Sequence, residues 1–300
     1  MASAPGPAAI ASRCDMSGAF ALAVTSVGLL SGMDALVKAQ AAQFPVAQIA
    51  CLRFVFGSLA ILIAIAIARP ARPRLETVIA NSWRAVLGVS TSITFYFALG
   101  RLPLAETLAL SLLSPCTTVL FSMLILRETV SRSLIIALGV GFLGMLLIIA
   151  PNFGHGHASV AALEGTLAVL ISTLTYSLSL VLLRSRATRD HPLIIVAVQN
   201  IGPMLILSAV IPLWPAGLWV PVQAFDLLNF AGIGTLGVCG HLVLAKAFSL
   251  APAGRMAPAD YTTLVFGSVY GYLFFGEIPA WTTIAGGLLI IVSSFTATRR

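Results

Sequence analysis

Residues 45–68 read PVAQIACLRFVFGSLAILIAIAIA. Beyond Arg53 no charge appears until Arg69, and Leu59–Ala68 is apolar throughout. A strand of a membrane barrel alternates apolar and polar residues over about ten positions, and no alternation exists here. A helix crossing a bilayer needs about 20 predominantly apolar residues, which this stretch supplies. Working outward, nine further runs meet or approach that length, near 17–39, 83–101, 103–126, 133–150, 163–184, 192–214, 227–250, 256–276 and 278–297. The pattern is that of an all-α integral membrane protein with ten transmembrane helices.

Composition agrees. Of 300 residues, 59% are hydrophobic and only 9% are charged, whereas a soluble domain carries roughly 25% charged residues. So few charges cannot make a water-facing surface. The net charge of +7 does not indicate nucleic acid, because the basic residues cluster between apolar runs. Cys14, Cys51, Cys116 and Cys239 form no CxxC and have no histidine at ligand spacing, so neither a disulfide framework nor a metal site is expected. The segment Met1–Met16 lacks the basic start of a cleaved signal and reads as a cytoplasmic tail before a retained helix.

Orientation follows from the basic residues. With the N-terminus inside, inner segments hold 13 of the 17, namely Arg13, Arg69, Arg72, Arg74, Arg84, Arg127, Arg132, Arg184, Arg186, Arg189, Arg255, Arg299 and Arg300. The asymmetry predicts both termini on the cytoplasmic side of a bacterial inner membrane.

The chain also repeats itself. Gly18 and Gly165 open the first and sixth runs, 147 residues apart, and Pro45 and Pro192 open the second and seventh with the same offset. Pro103 and Glu128 bracket the fourth run 25 residues apart, as Pro252 and Glu277 bracket the ninth. The expected units are therefore residues 17–150 and 163–297, joined by an outer loop at 151–162. Five crossings per unit is odd, so the second unit enters from the opposite side. Such inverted repeats characterise secondary transporters.

Several stretches resemble the drug/metabolite transporter superfamily, in its EamA-type group with two five-helix repeats. They are Met33-Asp-Ala-Leu-Val-Lys38, Pro45-Val-Ala-Gln-Ile-Ala-Cys-Leu-Arg53, Ala98-Leu-Gly-Arg-Leu-Pro-Leu-Ala-Glu106, Ser114-Pro115, Arg127-Glu128, Ala259-Asp-Tyr-Thr262 and Phe275-Gly-Glu277. The resemblance covers about residues 17–297 and implies transport of small metabolites such as amino acids, nucleobases, vitamins, S-adenosylmethionine-like compounds or drugs. The first half looks closest to a group that includes S-adenosylmethionine carriers. Two departures stand out. Arg127 precedes Glu128 where the family places glycine, and Asn200 holds the position of Arg53 in the second repeat.

Charge inside a membrane helix costs about 2.5–3.5 kcal/mol at its centre and marks functional candidates. Arg53 lies eight residues past Pro45, about 12 Å into its helix. Its planar fork suits a carboxylate or phosphate; a structural ion pair with Asp34, at similar depth, is the competing reading. Asp34 and Lys38 stand in the favourable acid-first i,i+4 order, and Asp34 could alternatively exchange a proton. Glu106 sits in the first turn of the fourth helix, where acids complement the dipole; proton coupling or amine binding competes. Glu128 and Glu277 end equivalent helices, which suggests gating or capping of a neighbour. Lys246 reads as snorkelling to the interface.

His241 lies in a glycine-rich helix as a structural histidine or a site residue. His155 and His157 lack metal-ligand partners. Pro115 interrupts the fourth helix and frees backbone carbonyls at the midplane, surrounded by Ser111, Ser114, Thr117 and Thr118. Tyr96, Tyr176 and Tyr261 could bound an aromatic or apolar substrate. Gly28-x-x-x-Gly32 and Gly267-x-x-x-Gly271 permit close helix contact, within the chain or in a homodimer. No GxxxxGK[ST], HExxH or GxSxG occurs.

The sequence thus predicts a secondary transporter, the reading the repeat favours: it moves amino-acid-like, nucleoside-like or S-adenosylmethionine-like metabolites by alternating access, as an exporter. A membrane-embedded enzyme and a non-transporting receptor are the alternatives. No cofactor or nucleic acid is expected. The expected partners are a small-molecule substrate, membrane lipid and a coupling ion such as H+. The candidate substrate or coupling residues are Asp34, Arg53, Tyr96, Glu106, Ser114, Pro115, Tyr176, Asn200, His241 and Tyr261.

Overall fold

The structure is a computed structural model that describes residues 7–73, 75–126, 136, 139–144, 146–148, 160–184, 190–210, 219–250, 259 and 262–298. Every regular element among them is helical: α1 (Pro7–Ala41), α2 (Val46–Ala68), α3 (Leu75–Leu99), α4 (Leu104–Ser111), α5 (Ser114–Leu126), α6 (Val160–Arg184), α7 (Pro192–Val210), α8 (Ala224–Leu250), α9 (Thr262–Phe275) and α10 (Trp281–Thr298). A shorter apolar helical segment, Gly139–Ile148, lies between α5 and α6. Five helices are by themselves long and apolar enough to cross a bilayer: Gly18–Ala41 of α1, Val46–Ala68, Val160–Leu182 of α6, Pro192–Val210 and Ala224–Ala247 of α8.

Three boundaries differ from the sequence reading. The segment taken as a tail is helical from Pro7 onward, as an extension of α1. The third helix starts at Leu75, because its first turns (Glu76, Thr77, Asn81, Ser82) are polar but still helix-compatible. The fourth run is two helices: α4 ends at Ser111, and i→i+3 bonds from Leu112 N to Ala109 O and from Leu113 N to Leu110 O carry the chain into α5. Pro115, second residue of α5, has no N–H for the carbonyl of Ser111 and disfavours helical geometry at the residue before it.

The helices pair as two exchanging halves. In the first repeat α1 packs on α8, as α6 packs on α3 in the second; α2 packs on α8, as α7 packs on α3. Likewise α1 meets α9 while α6 meets α4 and α5, and the pairs α2–α7 and α4–α9 map onto themselves. This is the contact pattern of a pseudo-two-fold axis.

Glycines set the closest approaches. A Cβ on Gly234 of α8 would sit 2.6 Å from the backbone nitrogen of Gly57 on α2. Both GxxxG motifs face neighbours within the chain: Gly28 and Gly32 lie against Phe266 and Tyr270 of α9, and Gly267 and Gly271 lie against Leu108 and Leu104 of α4. At one end of the bundle Phe44 meets Phe230 edge-on, with centroids 5.3 Å apart.

Candidate functional site

A cavity of about 200 Å³ lies between the halves, walled by α1, α2, α3, α4 and the start of α5 on one side and by α6, α7, α8 and α9 on the other. Each wall is a stripe at helical spacing: Ser26, Leu30 and Asp34 on α1; Gly88, Thr91, Ser92, Phe95 and Tyr96 on α3; Ser172, Thr173, Tyr176 and Ser179 on α6. The α4–α5 break faces it through Ser111, Leu112 and Ser114. The carbonyl of Ser114, at the start of α5, accepts hydrogen bonds from Ser177 Oγ (3.1 Å) and Thr117 Oγ1 (3.1 Å).

Asp34 and Arg53 both line this cavity and are both buried, with 8% and 7% exposure. The direct ion pair expected between them is not formed. Arg53 Nη1 donates to Ser92 Oγ at a long 3.5 Å, and its buried Nε has no hydrogen-bond partner. The guanidinium lies 4.4 Å from the Phe54 ring centroid and 6.0 Å from that of Tyr96. Gly237 of α8 leaves room for it: a Cβ there would be 3.5 Å from Arg53 Nη2. Two opposite charges with unspent bonding capacity, in one cavity, can receive a ligand that carries both signs.

The pairing expected between Asp34 and Lys38 is also absent. Lys38 Nζ instead sits 3.0 Å from Glu277 Oε1 and donates to the carbonyls of Leu102 (2.6 Å) and Leu99 (3.3 Å). Glu277 reaches it through local geometry. Gly276 takes a left-handed φ of 65°; Glu277 N then bonds to Gly271 O and Gly276 N to Tyr272 O. This left-handed closure, with the 5→1 bond of an αL cap, ends α9 and turns Glu277 toward α4, where Oε2 accepts from Leu104 N at 2.8 Å. The capping of a neighbouring helix anticipated for Glu277 is what the structure contains. Glu128 lies outside the described residues.

Among the other candidates, Tyr96, Tyr176 and His241 line the cavity, the last with Nδ1 2.7 Å from Gly237 O. Glu106 is in the first turn of α4 and half-buried, away from the cavity lining. Asn200 is not at the cavity: it donates to Val196 O (2.8 Å), and its Oδ1 packs where a Cβ on Gly57 would stand. Its correspondence to Arg53 in the repeat does not carry over, because α7 turns this position toward α2. Tyr261 lies outside the described residues.

Sequence reading missed Arg84, which it counted among the basic residues of the inner segments. Arg84 is 2% exposed and donates through Nε to Ser179 O (3.2 Å), through Nη1 to Asn81 Oδ1 (3.1 Å) and through Nη2 to Gln199 Oε1 (3.2 Å). It also passed over Gln199 and the hydroxyls of α6, although a polar stripe on an apolar helix was there to be seen. Among the described residues no cluster could hold a metal ion.

A bundle of inverted halves around a polar cavity, with one helix broken at its wall, is the architecture of a secondary transporter. The chain belongs to the EamA-like transporter family, whose model matches residues 17–150 and 163–299. It is 32% identical over 283 residues to the pseudopaline exporter CntI of Pseudomonas aeruginosa (strain UCBPP-PA14), covering 93% of this chain and 95% of that protein. It is 29% identical to the mouse (Mus musculus) solute carrier family 35 member G1, over 72% of this chain and 61% of that one. It is 21% identical to the S-adenosylmethionine uptake transporter of Rickettsia prowazekii (strain Madrid E), over 81% and 80%. A solved crystal structure shares the fold with a TM-score of 0.66 at 17% identity, over 94% of this chain and 98% of that one.

Proposed function

We propose that this transporter exports a small amino-acid-like metabolite, bearing an ammonium and a carboxylate, across the cytoplasmic membrane by alternating access. The observation that carries the reading is the placement of Asp34 and Arg53 in one cavity without an ion pair between them. The carboxylate of the substrate sits on the Arg53 fork and its ammonium on Asp34. Export is favoured by the relative named as an exporter, which aligns over nearly the whole chain. The basic residues set both termini in the cytoplasm. In that orientation the Lys38–Glu277 contact closes the outer end. The repeats at 17–150 and 163–297 are the halves that rock, and Asp34 takes up the coupling proton when substrate leaves.

A second reading, a nucleoside-like or S-adenosylmethionine-like substrate, is favoured by the ring walls Phe54, Phe95 and Tyr96. Flux of radiolabelled amino acids and nucleosides into proteoliposomes separates the two. Amino-acid flux abolished by Arg53→Ala supports the first; nucleoside flux that survives Arg53→Ala supports the second. Full amino-acid flux in Arg53→Ala sinks the proposal.

A further inference from the structure

Arg53 is not the only cation set against this cavity. Its Nη1 faces Ser92 on α3. Arg84 lies eight residues earlier on the same helix, so the two guanidinium sites are separated by about 12 Å along the helix axis. Gly88, halfway between them, lines the cavity and leaves the passage open: among the described residues, a Cβ there would meet only a side-chain carbon of Pro203, at 3.8 Å.

Arg84 acts on the cavity through Gln199. A guanidinium has donors and no acceptor, so the amide of Gln199 must turn its oxygen to Arg84, as the 3.2 Å contact from Nη2 to Oε1 records. The amide nitrogen is thereby turned away from Arg84. Gln199 lines the cavity, and its Nε2 has no acceptor among the described residues. A carboxylate, which only accepts, is the group that this donor and the cation behind it would hold. Charge points the same way. At or directly behind the wall stand two guanidiniums, Arg53 and Arg84, and one carboxylate, Asp34. Asp190 is reached from Arg84 only through Asn81, which donates to its Oδ2 at 3.3 Å.

We infer that Gln199, oriented by Arg84, forms a second carboxylate-binding point, so that the substrate class is an amino dicarboxylate rather than a simple zwitterion. Asp34 takes the ammonium, Arg53 one carboxylate and Gln199 the other. The inference rests on the cavity being the substrate site with Asp34 and Arg53 as its first two contacts. Arg84 is a positioning residue: each of its three nitrogens donates to a protein acceptor, and it is not among the residues that line the cavity.

The test is binding to the purified full-length protein, by thermal shift and calorimetry, of aspartate, glutamate, 2-aminoadipate and 2-aminopimelate against leucine as the monocarboxylate control. The variant is Gln199→Glu, which keeps a partner for Arg84 but replaces the amide donor with an acceptor. In the wild type one or more dicarboxylates should bind about tenfold or more tightly than leucine, since a hydrogen bond to a charged group is worth about 1.5–3 kcal/mol. Gln199→Glu should erase that preference, and an unliganded melting temperature that stays near the wild-type value shows that the variant is folded. Equal binding of leucine and all dicarboxylates by the wild type, or a preference that persists in Gln199→Glu, overturns the second binding point while leaving the zwitterion reading intact. Silence of the wild type toward every ligand, leucine included, overturns both.

Discussion

Lys38 Nζ lies 3.0 Å from Glu277 Oε1, which ties the end of the first helix in one repeat to the end of the fourth helix in the other. The contact does three things at once. It neutralises two half-buried charges, satisfies the carbonyls at the end of α3 and in the turn after it through Lys38, and caps α4 through the second oxygen of Glu277. Arg101–Glu164, with nitrogen and oxygen 2.6 Å apart, and the reciprocal bonds of Gln48 with Val220 lie at the same end of the bundle. Opening this end requires these cross-repeat contacts to part.

Breaking the ion pair should therefore expose the cavity from that end. With Cys14, Cys51, Cys116 and Cys239 replaced, a cysteine at Met33 on the cavity wall reports access to a membrane-impermeant maleimide. Glu277→Gln should speed labelling from the α1–α2 turn side by about tenfold, the population shift expected from losing a charge-assisted bond. The double swap Lys38→Glu with Glu277→Lys should not restore slow labelling, because a lysine cannot accept from Leu104 N. Restoration by the swap would mean that only the ion pair matters.

Arg53→Lys keeps the charge but loses the planar fork and the contact over Phe54. Substrate affinity should fall about tenfold to a hundredfold, with Arg53→Ala at least as poor. Calorimetric titration of both variants checks this, and an affinity held by Arg53→Lys would reduce the site to a point charge.

Among the described residues, the charged or titratable side chains that line the cavity with Asp34 are Arg53 on α2, Tyr96 on α3, Tyr176 on α6 and His241 on α8. Protonating Asp34 removes the acceptor for a substrate ammonium, so binding by the wild type should weaken as pH falls. Asp34→Asn should bind weakly at every pH with a flat profile, whereas His241→Gln should keep the wild-type slope. A slope that survives in Asp34→Asn assigns the proton elsewhere.

Gly234→Ala would drive a methyl group against the backbone of Gly57 and the Cβ of Phe56 on α2. Because backbone cannot swing aside, unfolding in detergent should show a loss of about 1–3 kcal/mol. Gly139→Ala, where a Cβ would meet no atom of the described residues within 4 Å, is the control and should leave the midpoint unchanged.

What the sequence determined by itself is what lipid and backbone chemistry dictate. Length and apolarity of the runs fix helices as the only spanning elements, and the offsets of Pro45 with Pro192 and of Pro103–Glu128 with Pro252–Glu277 disclose the repeat. Pro115 marks the broken helix, and Asp34, Arg53, Tyr96, Tyr176 and His241 could be picked out as polar residues within helices. What only the tertiary structure decided is which of these meet. Lys38 is one turn from Asp34 yet pairs with Glu277, because the left-handed Gly276 brings that carboxylate to α4 from 239 residues away in the chain. Asn200 matches Arg53 in the repeat but faces α2, and Arg84, counted with the basic residues of the inner segments, is buried against Ser179 and Gln199. One-dimensional spacing gives depth along a helix; the azimuth at which each side chain leaves it, and the neighbour it then finds, are set by how the two halves pack.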